Sequence, residues 1–333
     1  MRGDVTIGRL RKPVTRPTVR IPVTRVDESF GALGSTVRIA ITAPDARGLL
    51  VRARDAIREF EACASRFRPD SELCALNADP GAVVPASRQL RDAVRAALWA
   101  AERSGGLVDP CLLDALEAAG YRRSLTRDKL TSPCDVKSSR AVRAARPHPA
   151  ARWRQVRVDD RRGTIERPPG LRLDLGGSGK GHVADRVAGM LGSARSWVVD
   201  AGGDVRVGGA HELHVAHPFG GSPAARLRLS NGAAATSSIV RRSWRNEDGA
   251  IAHHLLDPAT GRPVWTGLLA VTAFAPTTLE AETLSKTALL SGAERARRVL
   301  ARHGGVAIRA HGEVELVGVE SAATEARVWR RAA

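Results

Sequence analysis

The stretch Asp174-Leu-Gly-Gly-Ser-Gly-Lys-Gly181 and the stretch Asp200-Ala-Gly-Gly-Asp204 form two closely spaced turns that are rich in glycine and acidic residues. Glycines allow backbone N–H groups to come close to an anion, a helix start adds a favourable dipole, and Lys180 adds a positive charge. The two turns together therefore suggest a site for a phosphate-bearing ligand. Glycine-rich turns are also common without any ligand, and neither turn matches the P-loop or the dinucleotide-binding pattern.

The residues around the turns predict alternating strands and helices. The apolar alternation over 171–175 predicts a short strand, and the helical spacing of Val183 and Val187 predicts a helix after the first turn. Ser87 is a predicted helix N-cap. Further strands are predicted at 36–41, 196–200, 253–261, 268–274, 305–310 and 313–317, and further helices at 49–64, 90–101, 278–291 and 293–303. This irregular alternation, with no fixed repeat, predicts a mixed α+β fold rather than a doubly wound sheet.

The composition bears on the class of partner. The 333 residues carry a net charge of +17, and 43% of them are hydrophobic but only 4% are aromatic. A strongly basic chain raises nucleic acid as a partner. Here nearly all the basic residues are arginines scattered along the chain, with few aromatic residues between them, so there is no stacking platform for bases. We therefore expect no nucleic-acid partner.

Composition also divides the chain into segments. Residues 1–25 predict a disordered basic arm rather than a signal peptide, and residues 122–150 predict an exposed, mobile insertion. The rest predicts one domain over 26–320 and a tail over 321–333. No segment is apolar enough to span a bilayer, and the four cysteines lack metal-binding or disulfide spacing. These features predict a cytoplasmic protein without membrane insertion.

The two turns belong to a longer series of motifs. In order along the chain, the segments are Leu33-Gly-Ser-Thr36, Arg68-Pro-Asp-Ser-Glu-Leu-Cys-Ala-Leu-Asn77, Gly106-Leu-Val-Asp-Pro110, Asp174 through Asp185, Asp200 through Asp204, Thr236-Ser-Ser238 and His254-Leu-Leu-Asp-Pro-Ala-Thr-Gly-Arg-Pro263. This ordered set resembles the ApbE-type flavin transferases. The chain departs from the family pattern where Asp200 replaces an asparagine and Ser238 replaces a glycine.

The resemblance implies an ApbE-like α+β fold with an FAD site in a central cleft, and the transfer of FMN from FAD to a threonine or serine of an acceptor protein with release of AMP. It implies FAD contacts at Leu33, Asn77, Leu107, Val108, Asp109, Asp174, Lys180, Asp204, Thr236, His254 and Leu255. It further implies a Mg²⁺ ion at Gly177 and Glu282, and catalytic roles for His254, Glu282 and Lys286.

Several of these residues also have simpler interpretations. Asp174 and Asp204 are typical turn formers beside glycine, and Asn77 is a typical helix-end residue. His253 and His254 are adjacent on a predicted strand, so their side chains point to opposite faces. We expect His254 to line the flavin site and His253 to lie at the surface.

The late helix departs most from the family. Family members usually carry Asp-x-x-x-Thr there, two oxygen ligands one turn apart, whereas this chain has Glu282 and Lys286. An ammonium has no lone pair for a cation. In one interpretation, Lys286 occupies the cation position and contacts the pyrophosphate, while Glu282 orients it or holds a single metal. In the other, the two residues form an ordinary i,i+4 ion pair, worth about 0.2–0.5 kcal/mol.

Three functions remain open at this stage. The first is an FAD:protein FMN transferase, and the second is an FAD pyrophosphatase in which water replaces the acceptor hydroxyl. The third is an FAD-binding protein that has lost turnover, which the Glu282 and Lys286 departure keeps open.

Overall fold

A computed structural model describes residues 22–124, 142–246, 249–319 and 326–328. The helices within these ranges are α1 Ala46–Ala64, α2 Glu72–Ala78, α3 Arg88–Arg103, α4 Leu113–Ala118, α5 Gly179–Met190, α6 Thr278–Ser291 and α7 Ala293–Leu300. The first strands are β1 Thr24–Ala32, β2 Ser35–Ala43, β3 Val83–Pro85, β4 Arg157–Asp159, β5 Thr164–Glu166, β6 Ser196–Ala201, β7 Asp204–Gly208, β8 Ala210–Val215 and β9 Ala225–Ser230. The remaining strands are β10 Ala233–Ser238, β11 Ser243–Arg245, β12 Ile251–His253, β13 Leu256–Asp257, β14 Arg262–Pro263, β15 Leu268–Ala275, β16 Gly305–Arg309, β17 Val314–Val317 and β18 Ala326–Val328.

An eight-stranded sheet runs in the order β1-β2-β6-β7-β10-β15-β16-β17, and each neighbouring pair is antiparallel. This arrangement confirms the predicted α+β class and the rejection of a doubly wound sheet, which would be mainly parallel. Smaller pairings join β8 to β9, β11 to β12, and β3 and β4 to β5.

The helices and a small sheet cover the main sheet. Alternate residues of β2, such as Val37 and Ile39, are fully buried in one apolar cluster with residues of α1, α3 and α5. Further along the sheet, Val271 and Ala273 of β15 pack into a cluster with α6 and α7. Phe274 of β15 lies instead in a cluster with residues of β8 and β9. The alternation along β15 therefore places α6 against one side of the sheet, where it carries Glu282 and Lys286.

Most predicted elements are confirmed, and Ser87 caps α3 by accepting a hydrogen bond from the Leu90 N–H. The predicted strand over 171–175 is wrong, because this segment pairs with no strand even though its burial alternates. Its backbone bonds to a side chain instead: the Asn77 amide donates to the Leu173 carbonyl and accepts from the Leu173 N–H, both at 2.8 Å. Of the predicted strand over 253–261, only His253 at the end of β12 and the two residues of β13 are in strands.

The structure describes parts of the predicted arm, insertion and tail. Strand β1 begins at Thr24, inside the predicted arm, while residues 1–21 lie outside the described residues. Of the predicted insertion, residues 125–141 lie outside the description, but Ala145 is buried and its N–H donates to the Leu290 carbonyl. Most of the other described residues of 122–150 are exposed and lie outside helices and strands, so the predicted exposed insertion stays a prediction. Within the predicted tail, β18 pairs in parallel with β9.

Within the described ranges, no helix combines the length and the apolar character that a bilayer span requires.

Candidate functional site

A pocket opens where several segments from distant parts of the sequence meet. They include the loop after α3 and the following helix α4, the turn before α5, the turn between β12 and β13, and the face of α6. The space measures about 600 Å³, including the open solvent at its mouth. Its lining consists of Leu107, Val108, Asp109, Leu112, Leu116, Tyr121, Asp174, Gly176, Gly177, Arg242, His254, Leu255, Leu256, Lys286 and Leu290.

The turn before α5 is held from both sides. The Asn77 side chain binds the backbone of Leu173, and the Asp174 N–H donates to the Pro110 carbonyl at 2.8 Å. The Asp174 carboxylate accepts from the Gly176 N–H at 2.6 Å and pairs with Arg66 at 3.2 Å. These bonds fix Asp174 and the following glycines at the pocket edge before any ligand arrives.

Tyr121 lines the pocket and contacts Arg66, which is not itself one of the lining residues. The Arg66 guanidinium lies 4.5 Å from the centre of the Tyr121 ring and donates to the Tyr121 carbonyl at 2.8 Å. Tyr121 stacks on Trp244 with ring centres 5.3 Å apart, and the indole N–H donates to the Ala119 carbonyl. Because Arg66 is nearly buried and fully engaged, it positions Asp174 rather than presenting a free charge.

The loop after α3 brings a carboxylate to the opposite side. The Ser104 hydroxyl accepts from the Val108 N–H at 2.9 Å, and the Asp109 carboxylate accepts from the Cys111 N–H at 2.8 Å. Burial raises the pKa of Asp109 above its usual value, against the lowering effect of the Cys111 N–H. Leu107, Val108 and Asp109 all line the pocket, and their contact with FAD stays a prediction.

His254 also lines the pocket, and its environment disfavours the charged ring. Burial holds the pKa of His254 well below its usual value, and the nearby cations Arg242 and Lys286 act in the same direction. Its Nδ1 lies 3.4 Å from the Arg242 carbonyl oxygen, which favours the tautomer with the proton on Nδ1 and the lone pair on Nε2.

The expectation for His253 is wrong. Its side chain is fully buried, with its ring edge-on to Trp265 at 4.7 Å, so both neighbouring histidines lie inside the protein. Adjacent residues of a strand point their side chains to opposite faces. This rule does not tell whether either face is exposed to solvent, and here both are covered.

A chain of four alternating charges lies behind the pocket. Lys180 Nζ binds the Asp204 carboxylate and lies 3.9 Å from Glu282 Oε1. Lys286 Nζ binds the same Oε1 at 2.8 Å. Glu282 has no exposed surface, and burial raises its pKa while Lys286 and Lys180 oppose that shift. Only Lys286 of these four residues also lines the pocket.

The glycines of the first turn serve packing as well as the pocket. The Gly181 N–H donates to Glu282 Oε2 at 2.8 Å, and a Cβ at Gly181 would lie 2.8 Å from the Leu279 Cα. Gly181 therefore allows α5 to approach α6 closely and is not free to bind an anion. Gly176 and Gly177 do reach the pocket.

Several predicted site residues lie elsewhere. Leu33 has a positive φ of 58° in the β1–β2 turn and donates its N–H to Glu61, while the Thr236 hydroxyl contacts that of Thr272 at 2.8 Å. Asp204 and Lys180 bind one another, and Asn77 binds Leu173. None of these five residues lines this pocket. FAD contacts stay predictions for them and for the predicted residues that do line it.

The residues at the predicted metal position do not fit a divalent cation in this arrangement. Both oxygens of Glu282 already accept hydrogen bonds, Oε1 from Lys286 and Oε2 from the Gly181 N–H. Lys286 offers only donors. Nor do the described residues hold any group of three or more His, Cys, Asp or Glu side chains arranged for a metal ion. The donor set at α6 suits an anion beside Lys286 better than a cation beside Glu282.

Sequence reasoning missed some of the pocket residues. These are Leu112, Leu116, Tyr121, Gly176, Arg242, Leu256 and Leu290. Most are apolar or lie in segments without a motif, and only the tertiary fold brings them together. Gly176 and Leu256 had a signal, because they belong to the first glycine-rich turn and to the His254–Pro263 motif.

Comparisons with known proteins agree with this architecture. The structure is similar to the ApbE protein of Thermotoga maritima, with a TM-score of 0.73, 24% identity, and coverage of 88% of this chain and 97% of that one. It is also similar to the apo flavinyl transferase ApbE of Pseudomonas stutzeri, with a TM-score of 0.70, 21% identity, and coverage of 89% and 95%. At this level of identity the two likenesses establish the shared fold.

The sequence comparisons establish the family. The chain is 29% identical over 280 residues to the FAD:protein FMN transferase of Treponema pallidum, covering 75% of this chain and 73% of that protein. It is 25% identical over 303 residues to the enzyme of the same name from Salmonella typhimurium, covering 86% and 84%. The ApbE family model matches residues 33–309. The chain belongs to the ApbE family.

Proposed function

We propose that this protein is an FAD:protein FMN transferase. The observation that carries the proposal is the convergence of the family motifs on one pocket: the Leu107–Asp109 step, the turn at Asp174–Gly177, His254 with Leu255, and Lys286. Relatives that cover most of the chain are named for this reaction. The pocket combines an apolar lining with a few charged groups, which suits a ligand with a flat ring system and a pyrophosphate.

The proposed reaction is a phosphoryl-type transfer. The hydroxyl oxygen of an acceptor threonine or serine forms a bond to the phosphorus atom nearer the flavin. The bond from that phosphorus to the bridging oxygen breaks, and AMP leaves with the bridging oxygen. The hydroxyl proton passes to a base. Such reactions depend on positioning and on neutralising the charge on the phosphate oxygens.

The chain's own residues supply these needs. Asp174, held by Arg66, and the adjacent glycines position the FAD phosphates, and Leu107 through Asp109 with Leu255 hold the rest of the ligand. His254 is the proposed base, since its low pKa keeps the ring neutral and the Arg242 carbonyl leaves Nε2 free to accept a proton. Glu282 positions Lys286, which contacts the pyrophosphate.

The proposal also covers the cellular compartment and the partners of the reaction. We place the reaction in the cytoplasm, with support from the free thiols of Cys63, Cys74 and Cys111, which a reducing compartment would maintain. The acceptor is a protein, without a role for nucleic acid. We derive no step through Mg²⁺, because the donor set at Glu282 and Lys286 does not fit it.

The test is incubation of the purified protein with FAD and a cell extract from a source strain that lacks this gene. AMP and FMN are measured by chromatography, and acceptors are found by in-gel flavin fluorescence and mass spectrometry. The proposal predicts AMP together with FMN on a threonine or serine of an acceptor. AMP with free FMN alone would indicate the pyrophosphatase instead, and intact bound FAD would indicate a binding protein.

A matched pair of variants ties the activity to the pocket. Asp174→Asn weakens the pair with Arg66 at the pocket edge and should reduce AMP release. Asp160→Asn weakens a comparable but exposed pair with Arg91 and Arg95, and should leave AMP release unchanged. If the two substitutions change AMP release equally, the activity does not depend on this pocket.

A further inference from the structure

Lys286 combines three properties that an anion site needs. It lies on α6 with only 9% of its surface exposed, it lines the pocket, and it retains unused donors. An ammonium carries three N–H donors. One of them binds Glu282 Oε1 at 2.8 Å, and no second acceptor for Nζ is found in the part of the chain that the structure describes. A buried ammonium with unused donors favours a negatively charged partner.

The Glu282–Lys286 pair differs from a surface pair of the same spacing. The pair of Glu294 and Arg298, also four residues apart, has side chains that are 85% and 73% exposed. Glu282 is instead fully buried and also binds the Gly181 N–H. Water cannot screen the buried charges, so the position of Lys286 Nζ is fixed by protein atoms rather than by solvent.

The helix that carries Lys286 is itself firmly held. The Asp185 carboxylate accepts from the N–H groups of Thr278 and Leu279 at 2.8 and 2.9 Å at the start of α6. Near the other end of α6, Ala288 and Leu289 are fully buried. Lys286 therefore presents its charge to the pocket from a rigid element, which is how preorganised charge stabilises a reaction.

We infer that Lys286 takes the place of a divalent cation, so that this chain binds FAD and transfers FMN without a metal ion. The inference rests on the proposed function. Lys286 undergoes no bond change itself: it donates N–H bonds to pyrophosphate oxygens, whose charge grows as the bond between phosphorus and the bridging oxygen breaks. A divalent cation at the same place would be repelled by the ammonium and would find both Glu282 oxygens engaged.

The experiment compares FAD binding with and without metal. Protein freed of metal by chelating resin is titrated with FAD by flavin fluorescence, in EDTA and in MgCl₂, and AMP release is measured in parallel. The wild type should bind FAD with the same affinity in both buffers. Lys286→Met should weaken binding about 10- to 100-fold in both, the effect of a charge-assisted hydrogen bond, whereas Lys286→Arg should retain most of it.

A second pair of variants tests the replacement directly. The double variant Glu282→Asp with Lys286→Thr creates the Asp-x-x-x-Thr pair on α6. Calorimetric titration with MgCl₂ alone should show binding to this variant and none to the wild type. If Lys286→Met does not fold, the variant Glu282→Gln with Lys286→Met removes both charges together and should show the same loss of FAD affinity. Arg298→Met, which removes the surface pair, is the control without effect.

The outcomes separate this inference from the proposed function. If FAD binding or AMP release by the wild type requires Mg²⁺, the inference is overturned while the transferase proposal stands. If FAD binds without metal through Lys286 but no AMP appears, the anion site stands and the transferase proposal fails. If FAD binds in neither buffer, both are overturned.

Discussion

Among single residues, Glu282 connects the two lysines near the pocket. It has no exposed surface, binds Lys286 at 2.8 Å, and lies 3.9 Å from Lys180, which in turn binds Asp204. Buried charges of this kind are tolerated only while each has a partner, because desolvation is costly. The same side chains therefore contribute to the stability of the fold and to the positive charge that Lys286 presents to the pocket.

We expect Glu282→Gln to destabilise the protein by about 3–5 kcal/mol, because it leaves Lys286 without its counter-charge. Adding Lys286→Met should recover part of this loss, since the remaining pair of Lys180 and Asp204 is balanced. Urea unfolding of the wild type, the single variants and the double variant forms a complete cycle. If the losses of unfolding free energy in Glu282→Gln and Lys286→Met simply add in the double variant, the two side chains do not interact, which would contradict a buried ion pair.

His254 makes stability depend on pH in a definite direction. Its pKa in the folded protein lies below the unfolded value, so the unfolded chain binds a proton first as the pH falls. Stability should therefore decrease as the pH falls below about 6.5, with a slope of up to about 1.4 kcal/mol per pH unit for this one group.

The variant His254→Asn should flatten this part of the pH dependence, while the contribution of His182, whose pKa is also lowered by burial, should persist. Urea unfolding between about pH 7.5 and about pH 5.5 measures the difference before most carboxylates titrate. An unchanged slope in the variant would mean that His254 is protonated in the fold as easily as in the unfolded chain.

Helix α6 carries the Lys286 ammonium to the pocket, and a side chain of α5 caps the start of α6. Asp185 of α5 accepts from the first N–H groups of α6 and lies 3.4 Å from Arg206. The close approach of the two helices at Gly181 makes this possible. The aspartate at the end of the glycine motif therefore has a structural role in positioning Lys286.

We expect Asp185→Ala to lower stability by about 1–2 kcal/mol through loss of the cap and to weaken FAD binding at the same time. Ser87→Ala removes the cap of α3 and should cause a comparable loss of stability while FAD affinity is unchanged. Unfolding and FAD titration of both variants are the measurements. Full FAD affinity in Asp185→Ala would show that α6 needs no anchoring at its start.

Residues 171–175, before the first glycine-rich turn, show why an alternating apolar pattern is not enough to predict a strand. Leu171, Leu173 and Leu175 are buried in alternation, as in a strand, but the hydrogen bonds of Leu173 go to Asn77. Periodicity reports which residues are buried and carries no information about the hydrogen-bonding partner. Asp174 and His254 belong to motifs and line the pocket, whereas Tyr121 and Arg242 reach it only through tertiary packing.

We expect Asn77→Ala to cost about 2 kcal/mol, because two backbone bonds lose their partner, and to weaken FAD binding indirectly through Asp174. Asn77→Asp keeps the acceptor for the Leu173 N–H and should lie between the wild type and the alanine variant. Unfolding and FAD titration should change together in this series. A loss of FAD affinity at unchanged stability would instead indicate direct contact between Asn77 and FAD.

For the whole molecule, one continuous sheet connects the elements around the pocket, and some of the surface charge is paired. The eight-stranded sheet includes both β1 and β17, which supports the proposed single domain over 26–320. Many surface arginines pair with acids, such as Arg38 with Asp27 and Arg297 with Glu315, so much of the positive charge is locally balanced. These arginines form ion pairs at the surface, whereas the buried charged residues Glu282 and Lys286 lie on α6.

The most direct test is a crystal structure of the metal-free protein with FAD. We predict electron density for the pyrophosphate beside the turn at Asp174–Gly177, with a phosphate oxygen about 2.7–3.2 Å from Lys286 Nζ and no ion between the phosphates and Glu282. FAD bound away from Lys286, or a six-coordinate ion held by Glu282, would contradict the account.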